Sequence, residues 1–281
     1  MGVVGQAEGV RQGPSGEGLR GKLPAIYKEH RSKFRAVISI IAVSLLWEVV
    51  ARYIVNSALI LVPLTSIWSA FVKLLMTGEL QKHVWVSFQE FGLGFTLAAV
   101  AGIVLGILMA TSDVVRDYLD PWVSALYATP TIALAPLFIL WFGIDIASKI
   151  AVIFLAAVFP ILINTYAGIQ ATDNTLIEAA RSFGASRMQI FTKILVPSAL
   201  PFIIAGLRLG VGRGLVGVVV GELFGARAGL GFLITVSGQV FDTAGLFVGV
   251  LFLAIAGVIA VEGLKRVEHH MAPWRHFGYK V

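Results

Sequence analysis

Residues 178–197 read EAARSFGASRMQIFTKILVP and form a polar, basic island between two long apolar segments. Thr175 and Glu178 have the T-x-x-E spacing of a capping box, which predicts a short helix starting near Thr175. Glu178 also suits the positive end of that helix. Ala179 and Ala180 favour helix and, being small, let a partner approach closely. Gly184 is placed to end the helix in a left-handed conformation. Ser186 and Gln189 make a second capping box, predicting another short helix to about Lys193, with Pro197 and Pro201 opening the next apolar run. The expected product is two short helices joined at a glycine turn, presenting Arg181, Arg187 and Lys193. Such a knuckle would transmit force better than a floppy loop. An ordinary helical loop whose basic residues only hold topology would show the same capping signals.

Outward from this island the chain is apolar. Of 281 residues 57% are hydrophobic and 14% charged, against roughly 25% charged in soluble domains. This argues for an integral membrane protein. There is no cysteine, which excludes disulfides and thiolate metal sites. Six segments are long enough to cross the apolar layer as helices: 36–55, 88–110, 119–142, 149–169, 198–222 and 245–264. The third carries Pro130 and Pro136 and the fourth Pro160, tolerable where neighbours satisfy the freed carbonyls.

With the N-terminus inside, the inner segments hold fifteen Lys and Arg residues and the outer segments four. That asymmetry puts both termini and the 170–197 loop in the cytoplasm. The net charge of +6 is therefore topological, and no nucleic-acid partner is expected. The chain reads as a tail over 1–35, a six-helix membrane domain over 36–267 and a C-terminal tail over 268–281. Residues 1–24, with seven glycines between Gly2 and Gly21, suggest a disordered tail. Residues 25–35 suggest an interfacial helix. Gly16–Lys22 spells G-x-x-x-x-G-K, but Leu23 follows and no strand precedes, so nucleotide binding is not expected here. The late first apolar segment argues against a cleaved signal peptide. Internal repeats are not evident, which disfavours repeat-built secondary carriers.

The pattern E-A-A-x3-G-x9-I over 178–194, ending at Pro197, resembles the cytoplasmic coupling loop of bacterial ABC importer permeases; Val196 stands where that family usually has Leu. PTIALAPLFILWFGID (130–145), GLRLGVGRGLVGVVVGEL (206–223), GLGFLI (229–234) and APWR (272–275) are similar to permeases for nitrate, taurine, alkanesulfonates and bicarbonate. The resemblance implies an all-α type I importer fold in the bacterial inner membrane. It implies a homodimeric pore, two ATPase subunits that bind ATP and Mg2+, and an extracytoplasmic binding protein. The chain itself would hold no cofactor. The same resemblance implies that Glu178, Ala179, Ala180, Arg181, Gly184 and Arg187 couple to the ATPase.

Other residues are candidates for the pathway. Gly206, Gly210, Gly214, Gly217 and Gly221 share a helix face, for packing or for a sliding seam. Arg208, Arg213 and Glu222 are costly at membrane depth and need partners, in an anion pathway or in structural ion pairs. Glu48 and Asn164 suggest interhelical hydrogen bonds. Pro130 and Pro136 are a packed kink or a gate bend. The histidines His83, His269, His270 and His276 have no metal-binding spacing. Two other classes compete. A membrane enzyme would need convergent catalytic groups that these spans lack, and a secondary carrier would leave the coupling loop unexplained.

Overall fold

The computed structural model describes residues 22–55 and 57–271, and all regular structure among them is helical. The glycine-rich tail, nearly all of the G-x-x-x-x-G-K stretch, APWR and His276 lie outside the described residues. The chain forms two compact units, Met1–Thr65 and Ser66–Val281.

In the first unit, α1 (Lys22–Val49) runs on into a π-helical turn, Val50–Val55. The expected interfacial helix at 25–35 and the first span are thus one uninterrupted helix. Glu48 makes the expected interhelical bond: its Oε1 accepts from the hydroxyl of Thr65, at the start of the next helix, at 3.0 Å, and from Arg52 Nε, one turn on, at 2.7 Å. The ion pair offsets part of what each charge would cost in an apolar setting.

The second unit begins within α2 (Leu64–Met76), a short apolar helix inside a stretch read from sequence as a connection. Then follow α3 (Glu79–Thr111), α4 (Asp113–Ala128), α5 (Ala135–Phe142), α6 (Ile146–Gln170), α7 (Asn174–Ser182), α8 (Arg187–Ile190), α9 (Val196–Gly225), α10 (Leu230–Gln239) and α11 (Thr243–Met271). Five described helices are long and apolar enough to cross a membrane, and a sixth crossing is possible if a bent pair is counted as one span.

That bent pair corrects the third span. Residues 119–142 are not a straight helix: α4 and the run Thr131–Phe142 meet at 90°. The break falls before Pro130, where Thr129 is extended (φ −73, ψ 130), the conformation that a following proline imposes. Thr129 Oγ1 donates to Ala125 O at 2.9 Å and so meets a carbonyl at the helix end. Pro136 kinks nothing; it lies in the first turn of α5, where no backbone donor is needed. Asn164, expected to bond to another helix, bonds within its own, donating Nδ2 to Pro160 O at 2.7 Å.

The core is α6, held between α3 and α9. Gly94, Ala98, Gly102 and Gly106 recur every four residues on α3 and are buried. A Cβ at Gly94 or Gly102 would come within 2.8 and 2.9 Å of Ile153 and Ile161 on α6. On the other side, a Cβ at Gly206 would lie 3.1 Å from Ile161 Cα, and one at Gly217 3.0 Å from Ile153 Cα. The order of these contacts makes α3 parallel and α9 antiparallel to α6. The glycine face foreseen on α9 therefore packs within the chain, and α3 carries a matching face that the sequence reading passed over.

Replacing Gly217 by Leu should lower the thermal midpoint of the purified protein, at a cost of roughly 1–3 kcal/mol from overpacking. Gly92→Leu, where a Cβ meets nothing within 4 Å, should leave the midpoint unchanged; equal midpoints for both variants would refute the packing account.

Candidate functional site

Two polar constructions sit at opposite ends of the bundle. The first is the 170–197 loop. Its opening helix, α7, is capped by Asp173 and not by Thr175: Asp173 Oδ1 accepts from Thr175 N at 2.8 Å and from Thr175 Oγ1 at 2.7 Å. Aspartate is the better N-cap, so the T-x-x-E box does not form. The hydroxyl of Thr175, with its amide, holds the Asp173 carboxyl below its usual range. Glu178, Ala179 and Arg181 are exposed on α7, and Ala180 is half-buried.

The helix ends as its glycine predicts. Gly184 has φ +77, Gly184 N donates to Arg181 O at 2.9 Å and Ala185 N to Ala180 O at 3.0 Å. This pair of bonds is a Schellman closure. Ser186 and Gln189 then form both halves of the expected box, with Ser186 N to Gln189 Oε1 at 2.7 Å and Gln189 N to Ser186 Oγ at 3.3 Å. Arg187, in the first turn of α8, is exposed.

The second helix does not stop near Lys193. It passes through a π-helical turn, Phe191–Leu195, into α9, so that Arg187–Gly225 is one run of 39 residues. Val196 N bonds back to Phe191 O across that turn. The wider turn accommodates Pro197, which has no amide proton to donate. The loop is thereby joined to the bundle without a hinge of irregular chain.

Apolar side chains complete the knuckle. Phe183 is 92% exposed, with Leu176 and Met188 also exposed. The sequence reading attended to its charges and missed these three; an apolar residue inside an otherwise basic island was the available signal. Exposed apolar groups of this kind mark contact surfaces.

The second construction is at the far end of α3, α6 and α9, around the N-terminus of α10. The amide N–H groups of its first turn have no partner within the helix. Side chains of α3 and α9 supply them. Gly229 N donates to His83 Nδ1 at 3.0 Å, Leu230 N to Ser87 Oγ at 2.7 Å, and Gly231 N and Phe232 N to Glu222 Oε2 at 2.6 and 3.2 Å. Ser87 Oγ donates in turn to Glu222 Oε1. Gly229 has φ +125, and a Cβ there would collide with the Glu222 carboxyl.

Glu222 is therefore neither paired with Arg208 nor open to a pathway: it is 1% exposed. Glu90 of α3 is also buried, and its Oε2 has no hydrogen-bond partner. Lys149, assigned to an outer segment from sequence, is buried in the first turns of α6 and donates Nζ to Ile144 O at 2.7 Å.

The remaining candidates lie apart from both constructions. Arg208 Nη2 pairs with Glu268 Oε2 of α11 at 2.6 Å. Arg213 is exposed and has no ion pair among the described residues. Pro130 and Pro136 lie at the bend between α4 and α5. No His, Asp or Glu cluster able to hold a metal occurs among the described residues.

Glu222→Ala should leave two amides of the first turn of α10 unsatisfied, each at roughly 1–3 kcal/mol. Hydrogen exchange should then accelerate at Gly231 and Phe232 while the amides of 94–106 keep their protection. Unchanged exchange at those two amides would remove Glu222 from this role.

Comparison with known proteins fits this architecture. The family model "Binding-protein-dependent transport system inner membrane component" matches residues 102–270. A Bacillus subtilis protein named as the aliphatic sulfonates transport permease SsuC is 38% identical, over 82% of this chain and 84% of the relative. The formylaminopyrimidine transport permease ThiX of Halalkalibacterium halodurans is 34% identical, over 82% of this chain and 91% of the relative. A chain of the MetNI methionine ABC transporter shares the fold at 20% identity and a TM-score of 0.61, covering 70% of this chain and 97% of that one. Permeases of this kind are non-enzymatic and work with a substrate-binding protein and an ATPase as separate partners. The chain belongs to the family of binding-protein-dependent transport system inner membrane components, as a multi-pass permease subunit of an ABC importer.

Proposed function

We propose that two copies of this chain form an alternating-access pore, moved by two ATPase subunits that dock on the knuckle of α7, Gly184 and α8. The observation that carries this reading is mechanical. The knuckle is capped at each helix start, closed at Gly184 and continuous with α9, so a push on it reaches the bundle without loss in a flexible joint. Phe183, Leu176 and Met188 offer the apolar contact, with Glu178 and the small side chains of Ala179 and Ala180 beside them. Arg181 and Arg187 add positive charge to this end of the bundle.

ATP and Mg2+ are held by the partner ATPases, whose closure turns the pore outward. An extracytoplasmic binding protein then delivers the solute, and hydrolysis resets the pore inward. The count of fifteen basic residues on one side against four on the other supports cytoplasmic termini and a cytoplasmic knuckle.

The substrate we propose is a small anion of the sulfonate, taurine, nitrate or bicarbonate kind, on the strength of the relative named for aliphatic sulfonates. The relative named for formylaminopyrimidine supports a second reading, a neutral heterocycle. Arg208 is neutralised by Glu268. Arg213 is the arginine left to bias a pathway toward anions, and the 90° bend at Pro130 is the candidate gate.

The tagged chain, purified gently from its native membrane, should bring down a near-equimolar ATPase. Glu178→Arg and Phe183→Glu should lose that ATPase while the chain stays folded and membrane-bound. Purification of the chain alone, together with uptake into vesicles without ATP, would contradict this reading and favour a secondary carrier.

A further inference from the structure

A cavity of 1030 Å3 lies behind the knuckle, where α3 and α6 end and α7 and α8 fold beneath them. Its wall has two characters. Ile107, Ile169, Phe191 and Leu195 make one part apolar, and Arg181 and Arg187 line the other. Neither arginine makes an ion pair among the described residues. Thr172 also lines the cavity; it is 8% exposed, and its Oγ1 is buried with no hydrogen-bond partner. A buried hydroxyl without a partner is uncommon in a folded chain. Here it stands in the same wall as two uncompensated cations.

The charge balance at this place favours an anion. The C-terminal ends of α3 and α6 each contribute roughly half a negative charge, and two guanidinium groups exceed their sum. The position favours an amphiphile. α3 stops at Thr111 and α6 at Gln170, so the cavity straddles the boundary between the apolar spans and the polar loop. A soluble anion would satisfy the arginines and leave the apolar wall facing water. A phosphate headgroup with an acyl chain beside Ile107 and Phe191 satisfies both. Basic pockets between membrane helices are known to take anionic lipid headgroups.

We propose that this cavity binds the phosphate headgroup of one anionic phospholipid per chain. The geometry of α7 keeps this separate from ATPase docking. Asn174, Ile177 and Arg181 turn one face of the helix toward the cavity, while the exposed Leu176 and Phe183 lie off that face; Met188, exposed and also lining the cavity, borders both surfaces. The lipid braces the knuckle from the membrane side.

The test reads lipid rather than transport. The permease, purified with whatever partners it retains, is reconstituted in nanodiscs of phosphatidylcholine with phosphatidylglycerol, and native mass spectrometry counts the lipid kept after release. One phosphatidylglycerol per chain should be retained in preference to phosphatidylcholine. Arg187→Gln should weaken that retention about five-fold, the value of one basic contact near a membrane surface. Thr172→Val, nearly the same shape, should weaken it while leaving the thermal midpoint unchanged. Equal retention of both lipids would overturn the proposal, as would undiminished phosphatidylglycerol on Arg187→Gln and Thr172→Val. Displacement of the lipid by millimolar inorganic phosphate would overturn it too, assigning the arginines to a free anion.

Discussion

The backbone of α6 has no side chain between it and its neighbours at several points on two faces. Glycines of α3 approach it from one side and glycines of α9 from the other. Without a hydrophobic driving force between helices in lipid, such close approach is what holds a bundle together. It is also intolerant: each glycine position has a side chain or backbone atom of the neighbour where a Cβ would be, so the three helices have one register. Packed interfaces of this kind move as blocks, not by continuous deformation. A force applied to α9 is therefore applied to α6 and α3.

What attaches to that block explains its ends. At one end the π-helical turn at Phe191–Leu195 carries the helix past Pro197 without a break, and the capped knuckle rides directly on α9. At the other end Glu222 of α9 and Ser87 of α3 hold the first amides of α10. The short helix is thus latched to both members of the block. A buried carboxyl is expensive unless its hydrogen bonds are met, and that expense ties α10 to one position. The ion pair of Arg208 with Glu268 fastens α11 to the same helix.

Much of this was legible in the sequence, and the rest was hidden for identifiable reasons. Apolar length alone located five of the spans, because a membrane helix must meet its backbone hydrogen bonds within itself. The Schellman turn at Gly184 and the Ser186–Gln189 box are local chemistry, written in adjacent residues. The cap at Asp173 was misjudged because two good capping residues compete within three positions. The bend at Thr129–Pro130 was read as an interrupted helix, since a proline in a long apolar run signals a kink without stating its angle. The α3 glycines share the spacing of those on α9, and only contact with α6 distinguishes them from any small-residue stripe. The Ser87–Glu222 bond joins residues 135 apart in the chain, and no local pattern could have announced it.

The claim that α6 and α9 move as one body can be tested by locking them together. The native chain has no cysteine, so an introduced pair is the only possible disulfide within it. A Cβ at Gly214 would lie 3.7 Å from Ala157 Cβ, within the span a disulfide needs. The measurement is ATP turnover by the assembled transporter carrying Ala157→Cys and Gly214→Cys, oxidised and then reduced. Equal turnover in the two states is the predicted result. Turnover that stops on oxidation and returns on reduction would mean that the helices must part during the cycle, and would contradict the account.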